Sequence, residues 1–210
     1  MLDAILSQAV NGLVLGFLYV LIAVGLTIIF GLLGIVNFAH GALFALGAYL
    51  TITFYNLLGW PAMVLAPFAI GAIGMLIEVV LVRRLYRGDA LISLILTFAL
   101  ALFFEALIRV IWGSAGQPFS PPAFLSGYLE YGPMLVTRYR VAILVSTIAL
   151  LILLWAFLQY TPFGRILRAG GHDSEMVGLL GINLPRVFTG AFGLGSFLAG
   201  VAGLLAAPLW

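Results

Sequence analysis

The sequence contains no cysteine and no lysine, and only 8% of its 210 residues are charged. Without cysteine there is no disulfide, no thiolate metal site and no thiol nucleophile. A soluble domain carries about 25% charged residues, so a soluble fold with 64% hydrophobic residues would lack the polar surface to cover its apolar side chains. The net charge of +2 comes from arginines beside apolar runs, which does not indicate nucleic-acid binding.

Catalytic motifs are also missing. The sequence has no HExxH zinc motif, no GxSxG nucleophile turn and no P-loop, the patterns that mark common hydrolytic and nucleotide-binding sites. We therefore expect a chain that is not an enzyme. It would have no catalytic residue, no metal site and no bound cofactor, and it would not hydrolyse ATP by itself.

What the sequence does have is a series of six long apolar runs. A helix needs about 20 apolar residues to span a bilayer, and β-barrels show short alternating segments instead. The runs cover residues 9–36, 38–58, 61–82, 90–112, 141–160 and 187–210. The pattern predicts an all-α, polytopic transmembrane bundle of about six spanning helices that forms one domain over residues 1–210.

Glycine and other small residues mark breaks and contacts in these runs. Gly31 and Gly34 offer a break after the first run, and Asn37 is placed to cap the helix that follows. Small residues at helical spacing predict close packing between membrane helices. The residues with this spacing are Gly12, Gly16, Gly71, Gly74, Gly193, Gly195, Ser196, Gly200 and Gly203.

The arginines predict the orientation of the bundle. They cluster after the third run and in the segment 161–186, with fewer in the segment 113–139. The two clusters comprise Arg83, Arg84 and Arg87 in one connection, and Arg165, Arg168 and Arg186 in the other. By the positive-inside rule, we expect 161–186 to be a cytoplasmic loop and 113–139 an external one. The N-terminus, which has no arginine before its apolar run, would lie outside.

Charged residues inside the runs are expected to pair. Glu105 and Arg109 are four residues apart, so they meet on one face of a helix and offset the cost of placing charge in a bilayer. Glu78 lies about one turn before Arg83 and is expected to pair with it near the membrane surface. The residues alone leave open whether Glu105 and Arg109 are a structural ion pair or part of a polar translocation path.

Asn37 and His40 are polar residues in an apolar context, GIVNFAHGALFALGAY. Burying an amide or an imidazole without a partner is costly, so we expect each to find one in another helix or in a water-filled cavity. A translocation path would require such residues, but a purely structural role would produce the same pattern.

The segment 161–186 is predicted to begin with an amphipathic turn over residues 163–169. Arg165 and Arg168 lie on one side of this turn. The glycines at 170 and 171 are expected to end it, because glycine is unfavourable inside a helix.

A short capped helix is predicted next. Asp173 is a good N-cap, Glu175 places a negative charge in the first turn, and Gly181 suits the left-handed position after the helix. The apolar stripe of this helix comprises Met176, Val177 and Leu180. Such a helix either rests on lipid headgroups or sits in a groove of a protein partner, and the residues alone do not separate these two roles.

Two stretches resemble the permease subunits of bacterial ABC importers for branched-chain amino acids. They are GLTIIFGLLGIVNFAHGALFALGAY at 25–49 and TPFGRILRAGGHDSEMVGLLGINLPRV at 161–187. The resemblance implies a multi-pass protein of the bacterial inner membrane. Its partners would be lipid, a second related permease, a periplasmic substrate-binding protein and two cytoplasmic ATPases that hold ATP and Mg. Arg165, Arg168, Asp173, Glu175, Gly181 and Asn183 would belong to the segment that docks on an ATPase.

Other functions remain open at this stage. Permeases for urea and short amides look similar, and an ion-coupled carrier or channel without an ATPase would use Glu78, Glu105 or His40. An inert remnant that only assembles with other membrane subunits is a third possibility. Family members usually continue for further spanning helices, so the end of this chain at Trp210 leads us to expect a C-terminal truncation.

Overall fold

The computed structural model describes residues 2–86, 90–131 and 134–209, and within them the chain forms eight α-helices and one β-hairpin. The helices are α1 (Leu2–Leu33), α2 (Ala39–Leu58), α3 (Leu65–Val80), α4 (Ala90–Trp112), α5 (Arg138–Tyr160), α6 (Pro162–His172), α7 (Ser174–Leu179) and α8 (Leu184–Ala206). Short 3-10 turns cover Trp60–Val64, Val82–Leu85, Ala123–Leu125 and Ala207–Leu209.

Six helical segments in the described part of the chain are long and apolar enough to cross a membrane. They are Gln8–Leu33, Ala39–Leu58, Trp60–Leu85, Leu91–Trp112, Arg138–Tyr160 and Leu184–Leu209. They coincide with the six apolar runs, so the prediction of a polytopic helical bundle is confirmed. α6 and α7 are too short to span and lie in the connection between α5 and α8.

The connection between α4 and α5 is more structured than a loop. It contains the hairpin of β1 (Tyr128–Tyr131) and β2 (Met134–Thr137), which pair antiparallel. Aromatic contacts hold the stretch before the hairpin against the C-terminal end of α2 and the 3-10 turn after it: the ring centroids of Tyr55 and Phe119 are 4.9 Å apart and those of Trp60 and Phe124 are 5.2 Å apart. The aromatic partners are distant in sequence, so composition alone does not reveal these contacts and predicts only a loop for the segment 113–139.

The helix α8 is the centre of the bundle, packed against α1, α2 and α3. Its small residues allow backbones to touch. A Cβ added at Gly195 would lie 2.6 Å from the Gly25 carbonyl oxygen, and one added at Gly203 would lie 2.4 Å from that of Phe44. In lipid, helices associate largely through such close packing, so the predicted role of Gly195 and Gly203 is confirmed.

The prediction is wrong for Gly12 and Gly16. A Cβ added at either position meets no atom within 4 Å, so this face of α1 makes no close helix contact in the described part of the chain. The spacing of small residues shows that a helix can be approached closely. Which neighbour approaches it depends on how the helices are arranged.

Five arginines share one end of the bundle, which we call the arginine-rich end. Arg83 bonds to Thr189 in the first turns of α8, and α6 and α7 join the end of α5 to the start of the same helix. The end comprises Arg83, Arg84, Arg165, Arg168 and Arg186, whereas Arg87 lies outside the described residues. The prediction that the two arginine-bearing connections lie on the same side is therefore confirmed.

We predict that Gly195→Ala destabilises the protein by about 1–3 kcal/mol, because the methyl group overpacks the contact with α1. The free energy of unfolding in detergent measures this effect. Gly16→Ala is the matched control: nothing lies near its Cβ, so it is expected to leave stability unchanged or to raise it by about 0.5–1 kcal/mol. Equal effects of the two variants would show that the contact between α8 and α1 is not tight.

Candidate functional site

The chain turns back into the bundle between α1 and α2. Gly34 ends α1 with a φ of 66°, a left-handed conformation that favours glycine. Along α1, Ile22 lies about 16 Å before the end of the helix. The His40 Nε2 atom, although it follows α1 in the chain, lies only 3.1 Å from the Ile22 carbonyl oxygen. Residues 34–37 must therefore run back alongside α1, and α2 begins inside the bundle rather than at its surface.

The returning segment is extended and half enclosed. Ile35 and Asn37 are buried whereas Val36 and Phe38 are exposed, the alternation expected of an extended chain. The Val36 carbonyl oxygen accepts a hydrogen bond from the Thr97 hydroxyl on α4 at 3.1 Å. Irregular backbone at membrane depth is tolerated where protein covers it or where it lines a cavity, and this segment meets that condition.

Asn37 does not cap α2 as the sequence suggests. The residue before α2 is Phe38, and only the backbone oxygen of Asn37 is used, by the His40 N–H at 3.1 Å. The Asn37 side chain is 2% exposed, and neither amide atom has a hydrogen-bonding partner among the described residues. The same holds for His40 Nδ1 and for Ser196 Oγ on α8. A buried polar group without a partner lowers the stability of the folded state by about 1–3 kcal/mol. Asn37 is therefore a candidate functional residue, because its side chain does not stabilise the fold.

A cavity of about 430 Å³ lies between α2 and α4. Glu105 and Arg109 form the predicted ion pair on its α4 side, and their side chains remain 55% and 66% exposed. The other lining residues are mostly small or apolar: Gly41, Ala42, Ala45, Tyr49, Ala101, Ile108, Gly113 and Ser114. The cavity therefore joins two opposite charges to an apolar wall.

The last turn of α4 is fixed against α2 beside this cavity. The Trp112 indole N–H donates to the Thr53 hydroxyl at 2.9 Å, and the rings of Trp112 and Tyr49 have centroids 5.3 Å apart. These contacts hold the two helices together at this level. The width of the cavity near Glu105 and Arg109 is thus set by packing as well as by the charged pair.

At the arginine-rich end, α6 is longer than the sequence suggests. Thr161 caps it by accepting the Gly164 N–H at 3.0 Å, and the helix then continues to His172. The predicted break at Gly170 and Gly171 is wrong. Both glycines lie against the end of α1, where a Cβ added at Gly170 would come within 2.7 Å of the Leu32 side chain. They are used for close approach, which offsets their low helix propensity.

The capped helix α7 is present where the sequence predicts it. Asp173 accepts the Met176 N–H at 2.8 Å, and Gly181 follows the helix with a φ of 80°. The predicted apolar stripe is only partly correct, because Val177 is buried while its companions face outward. The exposed apolar residues of α7 and its C-cap are Met176 at 55%, Leu179 at 82% and Leu180 at 74%.

The remaining predicted residues of the segment 161–186 are exposed and lie around α7. Asn183 accepts the Arg186 N–H at 3.3 Å and so caps α8, a role that only the helix boundary reveals. Arg168 bonds to Gln159 at the end of α5, while Arg165 and Glu175 are exposed. The structure therefore places the predicted residues in three separate regions: the returning segment with the first turn of α2, the cavity, and the surroundings of α7.

Glu78, which is fully buried, is the centre of a hydrogen-bonded network that connects α3 to α8. Arg83 pairs with it at 2.9 Å, as predicted, and the Thr189 hydroxyl lies 2.6 Å from the same carboxylate. The Tyr86 hydroxyl also donates to Glu78, and burial, followed by this hydrogen bond, raises the pKa of Tyr86 above its usual value. Sequence spacing predicts Arg83 as a partner of Glu78. It does not predict Thr189, because that residue is remote in the chain.

The chain matches, over residues 8–209, the family described as branched-chain amino acid transport system, permease component. It is 33% identical to the high-affinity branched-chain amino acid transport system permease protein BraD of Pseudomonas aeruginosa, over 95% of this chain and 70% of that protein. It is 32% identical, over the same shares, to the corresponding protein LivH of Escherichia coli K12. It is 27% identical to LivM of that strain over 91% of this chain and 50% of LivM. No solved structure matches the chain significantly.

We predict that Asn37→Leu leaves the unfolding temperature in detergent unchanged or raises it, because the amide has no partner to lose. Asn183→Leu is the matched control. It removes the cap of α8 and is expected to cost about 0.5–2 kcal/mol. An equal loss of stability in both variants would show that Asn37 is hydrogen-bonded in the folded protein.

We predict that Glu78→Ala lowers the unfolding temperature much more than Glu105→Ala does. The first change leaves Arg83, Tyr86 and Thr189 without their common acceptor, and it removes the hydrogen-bonded link that the fully buried Glu78 makes between α3 and α8. The second removes an exposed pair, which contributes little. Thermal unfolding of both variants in the same detergent compares them, and similar shifts would contradict the central position of Glu78.

Proposed function

Since the chain belongs to the family of permease components of branched-chain amino acid transport systems, we propose that it is the membrane-spanning subunit of an ABC importer. It is a multi-pass membrane protein, and it moves branched-chain or other hydrophobic amino acids inward with energy from ATP hydrolysed elsewhere. The structural observation that carries this proposal is α7, a helix fixed at both ends that presents Met176, Leu179 and Leu180 outward.

The partners of the chain follow from this role. Two cytoplasmic ATPase subunits bind ATP and Mg, a second related permease completes the pathway, and a periplasmic protein delivers the substrate. This chain itself holds no cofactor and is not an enzyme. The arginine-rich end faces the cytoplasm of a bacterial inner membrane, in keeping with the positive-inside rule, and the N-terminus faces the periplasm. Membrane lipid covers the exposed apolar faces of the spanning helices.

The ATPase docks on α7. Exposed leucines and a methionine on a short helix are suited to a hydrophobic groove of a protein partner. The only charged residues of α7 and its cap are Asp173 and Glu175, whereas a helix that lies on lipid headgroups usually has a basic polar face. Arg165 and Arg168, exposed on the neighbouring α6, and Asn183 at the start of α8 belong to the same coupling segment.

Movement of α7 would reach the membrane through α8. Asn183 caps α8 directly after α7, and Thr189 joins α8 to Glu78 at the end of α3. Because α8 packs on α1, α2 and α3 at once, a tilt of α8 changes the positions of Asn37 in the returning segment and of His40 in the first turn of α2. We assign these two residues to the translocation path. Transport by Asn37→Leu at the wild-type rate would contradict that assignment.

Two alternative functions are less well supported. The relatives described above are named for branched-chain amino acids, which favours these substrates over urea or short amides. An ion-coupled carrier would need a carboxylate free to take up a proton or an ion. Glu78 does not offer one, because Arg83, Tyr86 and Thr189 surround it, and Glu105 is paired with Arg109.

We predict that Leu180→Asp reduces co-purification of the ATPase by at least about tenfold, since a buried unpaired charge in a hydrophobic groove costs more than about 1.4 kcal/mol. Membrane insertion and permease thermal stability should be unchanged because the Leu180 side chain is exposed. The measurement is the ratio of ATPase to permease after affinity purification of the complex.

Leu57→Asp is the control for this experiment. Leu57 is 71% exposed at the opposite end of the bundle, so its substitution should leave the subunit ratio intact. Normal ATPase association with Leu180→Asp would show that α7 is not the docking helix. Amino acid uptake that persists in cells without any ATPase partner would overturn the importer assignment itself.

A further inference from the structure

We propose that the cavity between α2 and α4 is a binding site for a free α-amino acid with an apolar side chain, in which Arg109 holds the carboxylate and Glu105 the ammonium group. This inference rests on the proposed function, since it assigns the place where this chain meets its substrate. It concerns a site of direct ligand recognition, whereas docking of the ATPase concerns the opposite end of the bundle.

The charges suit the ligand. An α-amino acid is a zwitterion whose two charged groups are attached to the same carbon atom, so it needs one acid and one base side by side. Residues four apart on a helix have Cβ atoms about 5–6 Å apart, and Glu105 and Arg109 are such a pair. A guanidinium group offers five N–H donors and a carboxylate two oxygens, so both retain hydrogen-bonding capacity while they contact each other.

The pair is also easy to rearrange. Both side chains are more than half exposed, and an exposed ion pair contributes little to stability. Arg109 can therefore turn toward a ligand carboxylate without a large loss of folding free energy. Ionisable residues inside a membrane-spanning helix are costly and usually functional, and this pair has no other described role.

The wall opposite the pair suits an aliphatic side chain. Gly41, Ala42 and Ala45 give α2 a shallow face across the cavity from the pair, and Ala101 adds a small residue beside the pair on α4. A Cβ added at Gly41 would meet no atom within 4 Å, so the space above this residue is open. The cavity of about 430 Å³ falls within the range of about 300–1,000 Å³ typical of small-molecule sites.

The position of the cavity connects it to the interior of the bundle. Gly41 lies in the first turn of α2, directly after the returning segment, and the Thr97 hydroxyl that bonds to that segment is one turn of α4 before Ala101. Gly41 is thus about one helical turn from the buried Asn37, whereas Glu105 and Arg109 lie about two and three turns of α4 beyond Thr97, or about 12 and 18 Å along the helix. An amino acid would bind in this cavity before it moves past Asn37.

A zwitterionic lipid headgroup shares this chemistry. Phosphatidylethanolamine carries a phosphate and an ammonium group, and a cavity beside two membrane helices is accessible to lipid. The small apolar wall opposite the charges favours the free amino acid, because it offers an aliphatic side chain a place within the same cavity. The experiment separates these two sources of the ligand.

The test is binding of radiolabelled L-leucine to the complete permease–ATPase complex, reconstituted without the periplasmic protein in phosphatidylglycerol vesicles. We expect saturable binding. Arg109→Gln and Glu105→Gln should each weaken it by about 10- to 100-fold, the effect of losing a charge-assisted hydrogen bond. The exchange of both residues, Glu105→Arg with Arg109→Glu, keeps an ion pair but reverses its order, and it should also weaken binding.

The shape of the cavity is tested separately from its charge. Gly41→Leu should abolish leucine binding by filling the space, while Gly16→Leu, at a position that is equally open on α1, should have no effect. Two ligand analogues test the wild-type complex, so no variant needs to fold. 4-Methylpentanoate lacks the ammonium group and 3-methylbutylamine lacks the carboxylate, and neither should displace leucine at concentrations at which L-isoleucine does.

Several outcomes would overturn the assignment. One such outcome is a leucine affinity in Arg109→Gln equal to that of the wild type. Another is displacement of leucine by either analogue as efficiently as by isoleucine. Each would show that the pair does not bind both charged groups of an amino acid. Binding that disappears when phosphatidylethanolamine replaces phosphatidylglycerol would assign the cavity to the lipid headgroup. If ATP-dependent uptake remains normal in these variants, the importer function stands and only this site is wrong. If uptake never requires the ATPase, the proposed function fails instead.

Discussion

Close packing of α8 against α1, α2 and α3 holds this bundle together. Lipid is as apolar as leucine, so membrane helices gain little by burying apolar side chains against each other, and they rely on backbones that approach closely. The glycines of α8 provide that approach: Gly195 meets Gly25 of α1, Gly203 meets Phe44 of α2 and Gly200 meets Ile70 of α3. One helix thereby fixes the positions of α1, α2 and α3, and a change in its tilt must be shared by all of them.

This packing makes the irregular part of the chain possible. The segment at 34–37 leaves the helical hydrogen-bonding pattern at membrane depth, where an uncovered backbone would be prohibitive. Neighbouring helices cover Ile35 and Asn37, and α4 supplies a hydrogen bond to Val36. The same arrangement connects the arginine-rich end to the interior. The helix α8 begins beside α7, contacts Glu78 through Thr189 and, at Gly195, packs against Gly25 of α1, which lies next to His40 of α2. The packed contacts are therefore continuous from α7 to the polar interior of the bundle.

Local features of the site could be predicted from sequence, and remote ones could not. The cap at Asp173, the left-handed Gly181 and the pairs Glu78–Arg83 and Glu105–Arg109 depend on residues within about one helical turn, so their spacing is sufficient. The contribution of Thr189 to the Glu78 network and the cavity beside Glu105 depend on residues far apart in the chain. The same limit explains why Gly170 and Gly171 looked like a helix break. Their low helix propensity is a local property, but the contact with Leu32 that offsets it is not.

The sequence by itself determined that this is a helical membrane protein with six spanning segments, because span length and apolar content follow from the thickness of the bilayer. It also determined which connections share a side, and the capped helix in the segment 161–186. Tertiary structure decided which small residues are contacts, using Gly195 and Gly203 but not Gly12 or Gly16. It decided as well that α2 begins inside the bundle, with Asn37 buried and unpaired. Composition determines whether a chain is surrounded by water or by lipid, whereas only the arrangement of the helices determines which side chains are in contact.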